Sequence, residues 1–138
     1  MIRAVVDTNV LFEGLTKTES ACNFVLKSWQ ANLFQPCISL PLFYEYQAVL
    51  SRKLSTIGYK FIEPAFHELL KSTEIVESHF SWRPSSRDPD DEFLIDCAMN
   101  GHAWLITRNI RDFTIAQLEL SLVVLTPDQF IIELSNQV

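Results

Sequence analysis

The first apolar run of the chain, Ile2-Arg3-Ala4-Val5-Val6, is rich in small and β-branched residues and stops at an acid, Asp7. A run this short is consistent with a strand buried on both faces, as strands of parallel sheets are. The acid that ends it is carried to the C-terminal edge of the sheet, where open α/β sheets bind ligands. Further short runs predict strands over 34–39, 74–76, 103–107 and 121–125. Helical spacing predicts helices over 19–32, 41–54 and 62–71, and another from Asp90 or Asp91 to about Asn100. Residues 9–15 read as a turn or short helix. Thr126-Pro127-Asp128 opens a last helix, with a cap residue followed by proline at the first helical position. The predicted order, β-α-β-α-α-β-α-β-β-α, points to an α/β domain with a mostly parallel sheet covered on both faces. The segment 82–89, with two prolines, two arginines and two serines, reads as a loop within that domain.

A chain of 138 residues suits one domain with a substantial core, spanning 1–138. Hydrophobic residues make up 48% and charged residues 20%, which excludes a disordered chain. The apolar runs are far shorter than the roughly 20 residues a membrane span needs. Charge interrupts the first residues at once, unlike a secretory signal, so a cytoplasmic protein is expected. Cys22, Cys37 and Cys97 form no CxxC pair and fall in apolar surroundings, so buried reduced thiols are expected. His67, His79 and His102 form no metal-binding pattern. With three glycines in the chain, no phosphate-cradling loop is present. The net charge of −6 argues against gripping nucleic acid by bulk charge. It leaves a metal-dependent nuclease open, because a bound cation neutralises clustered acids.

Four acids carry the chemical expectation. Asp7 ends a strand, with Asn9 two residues on. Glu45 shares a helical stripe with Leu42 and Val49, on or beside the packed side of its helix. A carboxylate there needs a partner, a proton or a metal. Asp91 heads a helix, one turn before Leu94. The sequence pattern puts Phe93, Leu94, Cys97 and Ala98 on the buried stripe and Glu92 and Asp96 in solvent. Asp112 lies just beyond the 103–107 strand. Each acid alone has an ordinary explanation as a cap, a turn residue or an ion-pair partner. Glu45, for instance, is within reach of pairing with Arg3 or Arg52 in principle. Together they would meet at one edge of one sheet. Oxygen ligands gathered in one cleft suit Mg²⁺ or Mn²⁺, and with them phosphodiester hydrolysis.

Four segments, in order, carry a resemblance. They are Val5-Val6-Asp7-Thr8-Asn9-Val10, Glu45 within 43–50, Asp88-Pro89-Asp90-Asp91-Glu92-Phe93-Leu94, and Leu105 to Phe113 around Thr107-Arg108-Asn109. The chain resembles the PIN-domain nucleases from Ile2 to about Phe130, in particular the small single-domain branch that includes VapC-type toxins. The resemblance implies a three-layer α/β/α fold with a five-stranded parallel sheet and an Mg²⁺- or Mn²⁺-dependent endoribonuclease. It matches Asp7, Glu45 and Asp91 to the core acids. The family often has an acid where this chain has Asn109, and Asp112 is the expected substitute. Asn9, Thr107 and Asn109 are expected supporting contacts. Arg52, Arg87, Arg108 and Arg111 are candidates for the RNA backbone. A small antitoxin partner and a homodimer are also implied, with aromatic-rich segments at 33–34, 43–46 and 59–61 as candidate surfaces. A non-catalytic PIN-like binding module, a solitary RNA-processing enzyme, and a phosphatase or DNA nuclease remain the competing readings.

Overall fold

The structure is a computed structural model and describes residues 1–81, 88 and 91–137. Its elements are β1 (Arg3–Val6), α1 (Thr8–Thr16), α2 (Ala21–Gln30), β2 (Gln35–Ile38), α3 (Leu40–Lys53), α4 (Thr56–Leu70) and β3 (Glu74–Ile75). There follow α5 (Glu92–Asn100), β4 (Trp104–Ile106), a 3₁₀ turn at Ile110–Phe113, α6 (Thr114–Leu120), β5 (Val124–Leu125) and α7 (Pro127–Asn136). The five strands run in the order β3-β2-β1-β4-β5, and every neighbouring pair is parallel.

The α/β class and five-stranded parallel sheet expected from the sequence are thus present. Ala4, Val5 and Val6 are fully enclosed, as are Leu105 and Ile106 beside them. With right-handed crossovers, the moves β1→β2→β3 place α1 to α4 on one face. The return to β4 and β5 places α5 and α6 on the other, giving three layers. The direction of winding reverses between β1 and β4. Their register pairs Val6 with Ile106, so the next residues, Asp7 and Thr107, flank the crevice where an α/β sheet binds its ligand.

Four details depart from expectation. α4 begins at Thr56, capped by Ser55, six residues before the predicted start, and carries Pro64 within it. α6 was not expected; it is one of the shortest helices and buries only Ala116. Asn32 turns the chain at φ 58°, so α2 stops at Gln30 and Leu33 is exposed rather than in line with Trp29. Leu94, Cys97 and Ala98 are buried as predicted, but Glu92 and Asp96 are buried too and Phe93 is exposed. α5 lies against β1, β2, β4 and α3, so a wider arc of its surface is covered than one stripe.

The largest buried side chains are aromatic. Phe34 packs edge-on against Phe130 and Trp29, and the Trp29 indole donates to the Leu69 carbonyl at 2.8 Å. α1 and α2 cross so closely that a Cβ at Gly14 would lie 2.7 Å from the Cys22 carbonyl oxygen. All three cysteines are buried and unbridged, and all three histidines are exposed. Among the described residues, no helix is long and apolar enough to cross a membrane.

Candidate functional site

A cavity of about 320 Å³ opens at the C-terminal edge of the sheet, over the ends of β1 and β2. Asp7, Glu45, Asp88 and Asp91 all line it, together with Arg52, Lys53, Asn9 and the apolar Leu42, Val49 and Leu94. Three of the four acids singled out in the sequence therefore share one cavity.

Asp7 is the most enclosed, at 7% exposure. It stands at the cap position of α1, where the amides of Thr8 and Asn9 face its carboxylate. Its Oδ2 also accepts from the Thr107 hydroxyl at 2.7 Å, and Thr107 Oγ1 accepts from the Asn109 amide at 3.1 Å. Burial raises the Asp7 pKa, and the negative charge of Asp112 adds to the rise. The Thr107 hydroxyl and the amides of Thr8 and Asn9 oppose it. A second anchor acts on the same peptide. Tyr46, fully buried on α3, donates its hydroxyl to the Val6 carbonyl. It ties the helix that carries Glu45 to the strand that delivers Asp7.

Glu45 is half-buried and makes no ion pair among the described residues. The Arg3 guanidinium is engaged by Glu74 and by the Gly101 carbonyl, so it is not a partner for Glu45. Asp91 stands at the cap position of α5 without a side-chain cap hydrogen bond to it. Asp112 is exposed on the 3₁₀ turn and is not a lining residue; its charge reaches Asp7 through space. Asn109 is exposed beside it.

The predicted RNA contacts fare differently. Arg52 lines the cavity. Arg108 is drawn the other way, into an ion pair with Glu13 on α1. Arg111 is exposed on the 3₁₀ turn. Arg87 lies outside the described residues, as does Asp90. Two charged lining residues, Asp88 and Lys53, were not assigned from sequence. Asp88 had a signal, since it stands three residues before Asp91 in the same acidic segment.

All four carboxylates offer oxygen, with no histidine or cysteine among them, which suits a hard divalent cation. Among the described residues no three acid, histidine or cysteine side chains stand in an arrangement that would grip one ion unaided.

The sequence profile of the PIN domain matches residues 3–111. The chain belongs to the PIN domain family, whose members are in general nucleases acting with divalent metal ions. Two solved structures share the fold. One is VapBC2 from Rickettsia felis bound to a DNA fragment from their promoter. It is 16% identical, with a TM-score of 0.65, over 91% of this chain and 98% of that one. The other is FitAB bound to an IR36 DNA fragment, 14% identical with a TM-score of 0.61, over 90% and 94%. No curated protein matches the sequence.

Proposed function

We propose that this protein is a single-domain, cytoplasmic endoribonuclease that hydrolyses RNA phosphodiester bonds with Mg²⁺ or Mn²⁺. We further propose that it is the toxin of a type II toxin–antitoxin pair, held by a small antitoxin. The observation that carries the reading is the meeting of Asp7, Glu45, Asp88 and Asp91 around one cavity at the reversal point of the sheet. The folds of VapBC2 and FitAB support the toxin assignment by likeness.

In this reading Asp7, Glu45 and Asp91 hold the ion, partly through waters, with Asp88 facing the same space. A bound divalent ion supplies charge to the phosphate oxygen and lowers the pKa of water. Thr107 holds the Asp7 carboxylate through Oδ2. Asp112, with Asn109 in place of a family acid, completes the charge on the far side or orients the attacking water. Arg52 positions the strand through a phosphate, which sets register rather than sequence choice. Leu42, Val49 and Leu94 give the cavity an apolar wall that strengthens the electrostatics inside. Tyr44 and Phe61, exposed on α3 and α4, suit an antitoxin segment or a second copy.

The test is cleavage of a labelled single-stranded RNA in Mn²⁺, Mg²⁺ and EDTA, beside Asp7→Asn. Cleavage that needs metal and is lost in the variant is expected. Metal binding without cleavage on several RNAs would favour the non-catalytic module, a reading the exposed Asn109 keeps in view.

A further inference from the structure

Lys53 is the last residue of α3. Residues 42, 45, 49 and 53 are spaced three to four apart and share a helical face, and all four line the carboxylate cavity. Eight residues separate Lys53 from Glu45, about 12 Å along the helix axis. A lysine at a helix C-terminus complements the macrodipole by itself. This one does something else. Its ammonium turns away from the helix end toward α1, 3.4 Å from Asn9 Oδ1 and 5.0 Å from the centre of the Phe12 ring.

Both partners are uncharged. Arg3, Lys17, Lys71 and Arg108 are each engaged by a carboxylate. Lys53 is in no ion pair among the described residues, although four acids line the same cavity. Its charge is held at the lip, undiminished. The opposite placement would waste it, because a lysine closed onto Asp7 or Glu45 would compete with a metal for the same oxygens.

We infer that Lys53 binds a backbone phosphate of the RNA strand in the cavity, on the flank of the cleaved one. This rests on the ribonuclease reading above. A strand entering a cavity of four carboxylates on a protein of net charge −6 meets repulsion. A cation at the lip offsets it, and an ammonium serves a phosphate as a point charge without demanding planar geometry. Its backbone stands about two turns beyond Glu45 on α3, and its ammonium rests on Asn9 instead of a carboxylate. Its contribution is therefore to strand binding and not to the reacting phosphate.

The experiment compares wild type, Lys53→Met and Lys53→Arg on a labelled single-stranded RNA. Steady-state cleavage is measured in Mn²⁺ over a salt series, equilibrium binding in Ca²⁺, and thermal midpoints on the same samples. Lys53→Met should raise KM about tenfold with kcat within about twofold, and flatten the salt dependence by about 0.7 in log–log slope, one phosphate's share for a single strand. Lys53→Arg should recover most of the loss. Unchanged KM and slope in folded Lys53→Met would overturn the inference while leaving a cleaving wild type, and so the ribonuclease reading, intact. So would an arginine variant as impaired as the methionine one, which would mark Lys53 as a tie between α1 and α3. A wild type that neither binds nor cleaves RNA would overturn the reading and the inference together.

Discussion

Two cavities of similar size open along the C-terminal edge of the sheet. One, of about 360 Å³, lies over the ends of β4 and β5 and is lined by Glu13, Cys22, Arg108, Thr126 and Asp128. The other is the carboxylate cavity of about 320 Å³ over β1 and β2. In the first, charges are closed against each other. Glu13 accepts from Cys22 at 3.1 Å, from Lys17 at 3.3 Å and from Arg108. The Cys22 contact, with Arg108 and Lys17 behind it, holds the Glu13 carboxyl below its ordinary range. Burial foremost, then Glu13, pushes the Cys22 thiol up to about 12. In the second, like charges face one space and Asp7 is raised, by burial above all. The larger cavity is thus the quieter one. Paired charges settle a fold and leave little for a ligand, whereas converging acids cost stability until a cation arrives.

The largest test of this contrast is Asp7→Asn. Metal-dependent cleavage should fall by more than about 100-fold, the upper range for disturbing even a metal site's outer partners. The metal-free variant should melt higher than wild type. Because the folded pKa of Asp7 is raised, its favourable contribution is full below the unfolded value near 3.8 and is lost as pH rises through the folded one. The gap between variant and wild type should therefore widen from pH 4 to pH 7 in thermal melts. Adding Mn²⁺ should raise the midpoint of the wild type alone.

Thr107→Val removes the hydroxyl that fixes Asp7. Mn²⁺ affinity measured by calorimetry should weaken about 10- to 100-fold, with a smaller change in stability. An unchanged affinity would mean that Asp7 is held without it. Tyr46→Phe keeps the ring in the core and removes the tie to Val6. Urea unfolding should show a loss of about 1 kcal/mol, and a null result would show the tie to be dispensable.

The smallest effect belongs to the paired cavity. Glu13→Gln should cost under about 1 kcal/mol at pH 7, since its charged partners Lys17 and Arg108 are largely solvated. The sign is opposite to that of Asp7. With a lowered folded pKa, the Glu13 contribution is present above its ordinary 4.5 and is lost as pH falls through the folded value. The variant and wild type should converge in acid. Divergence there would break the comparison between the cavities.

Much of this was legible in the chain. Short β-branched runs, the Thr126-Pro127 helix start and the acid after Val6 gave the alternation and the parallel sheet, because strands buried on both faces admit little else. Helix 62–71 was read too short because Gly58 and Pro64 weaken the helical pattern that Ser55 nonetheless caps. The seven-residue α6, with one buried side chain, carries no periodicity to detect. Glu92 and Asp96 misled because α5 is packed on three strands and on α3, a surrounding that their own spacing does not encode.

Sequence alone determined which residue types end the strands, and hence that oxygen donors would gather at one edge. Only the tertiary structure decided how their charges are used. Arg108 follows β4 and Lys53 ends α3, and both are cations that line a cavity at the same edge, yet one is closed onto Glu13 and the other rests on Asn9 and Phe12. That choice depends on which helix faces which side chain across the sheet. Both contacts require approach within a few ångströms between residues 44 and 95 positions apart, a proximity that the order of residues does not encode.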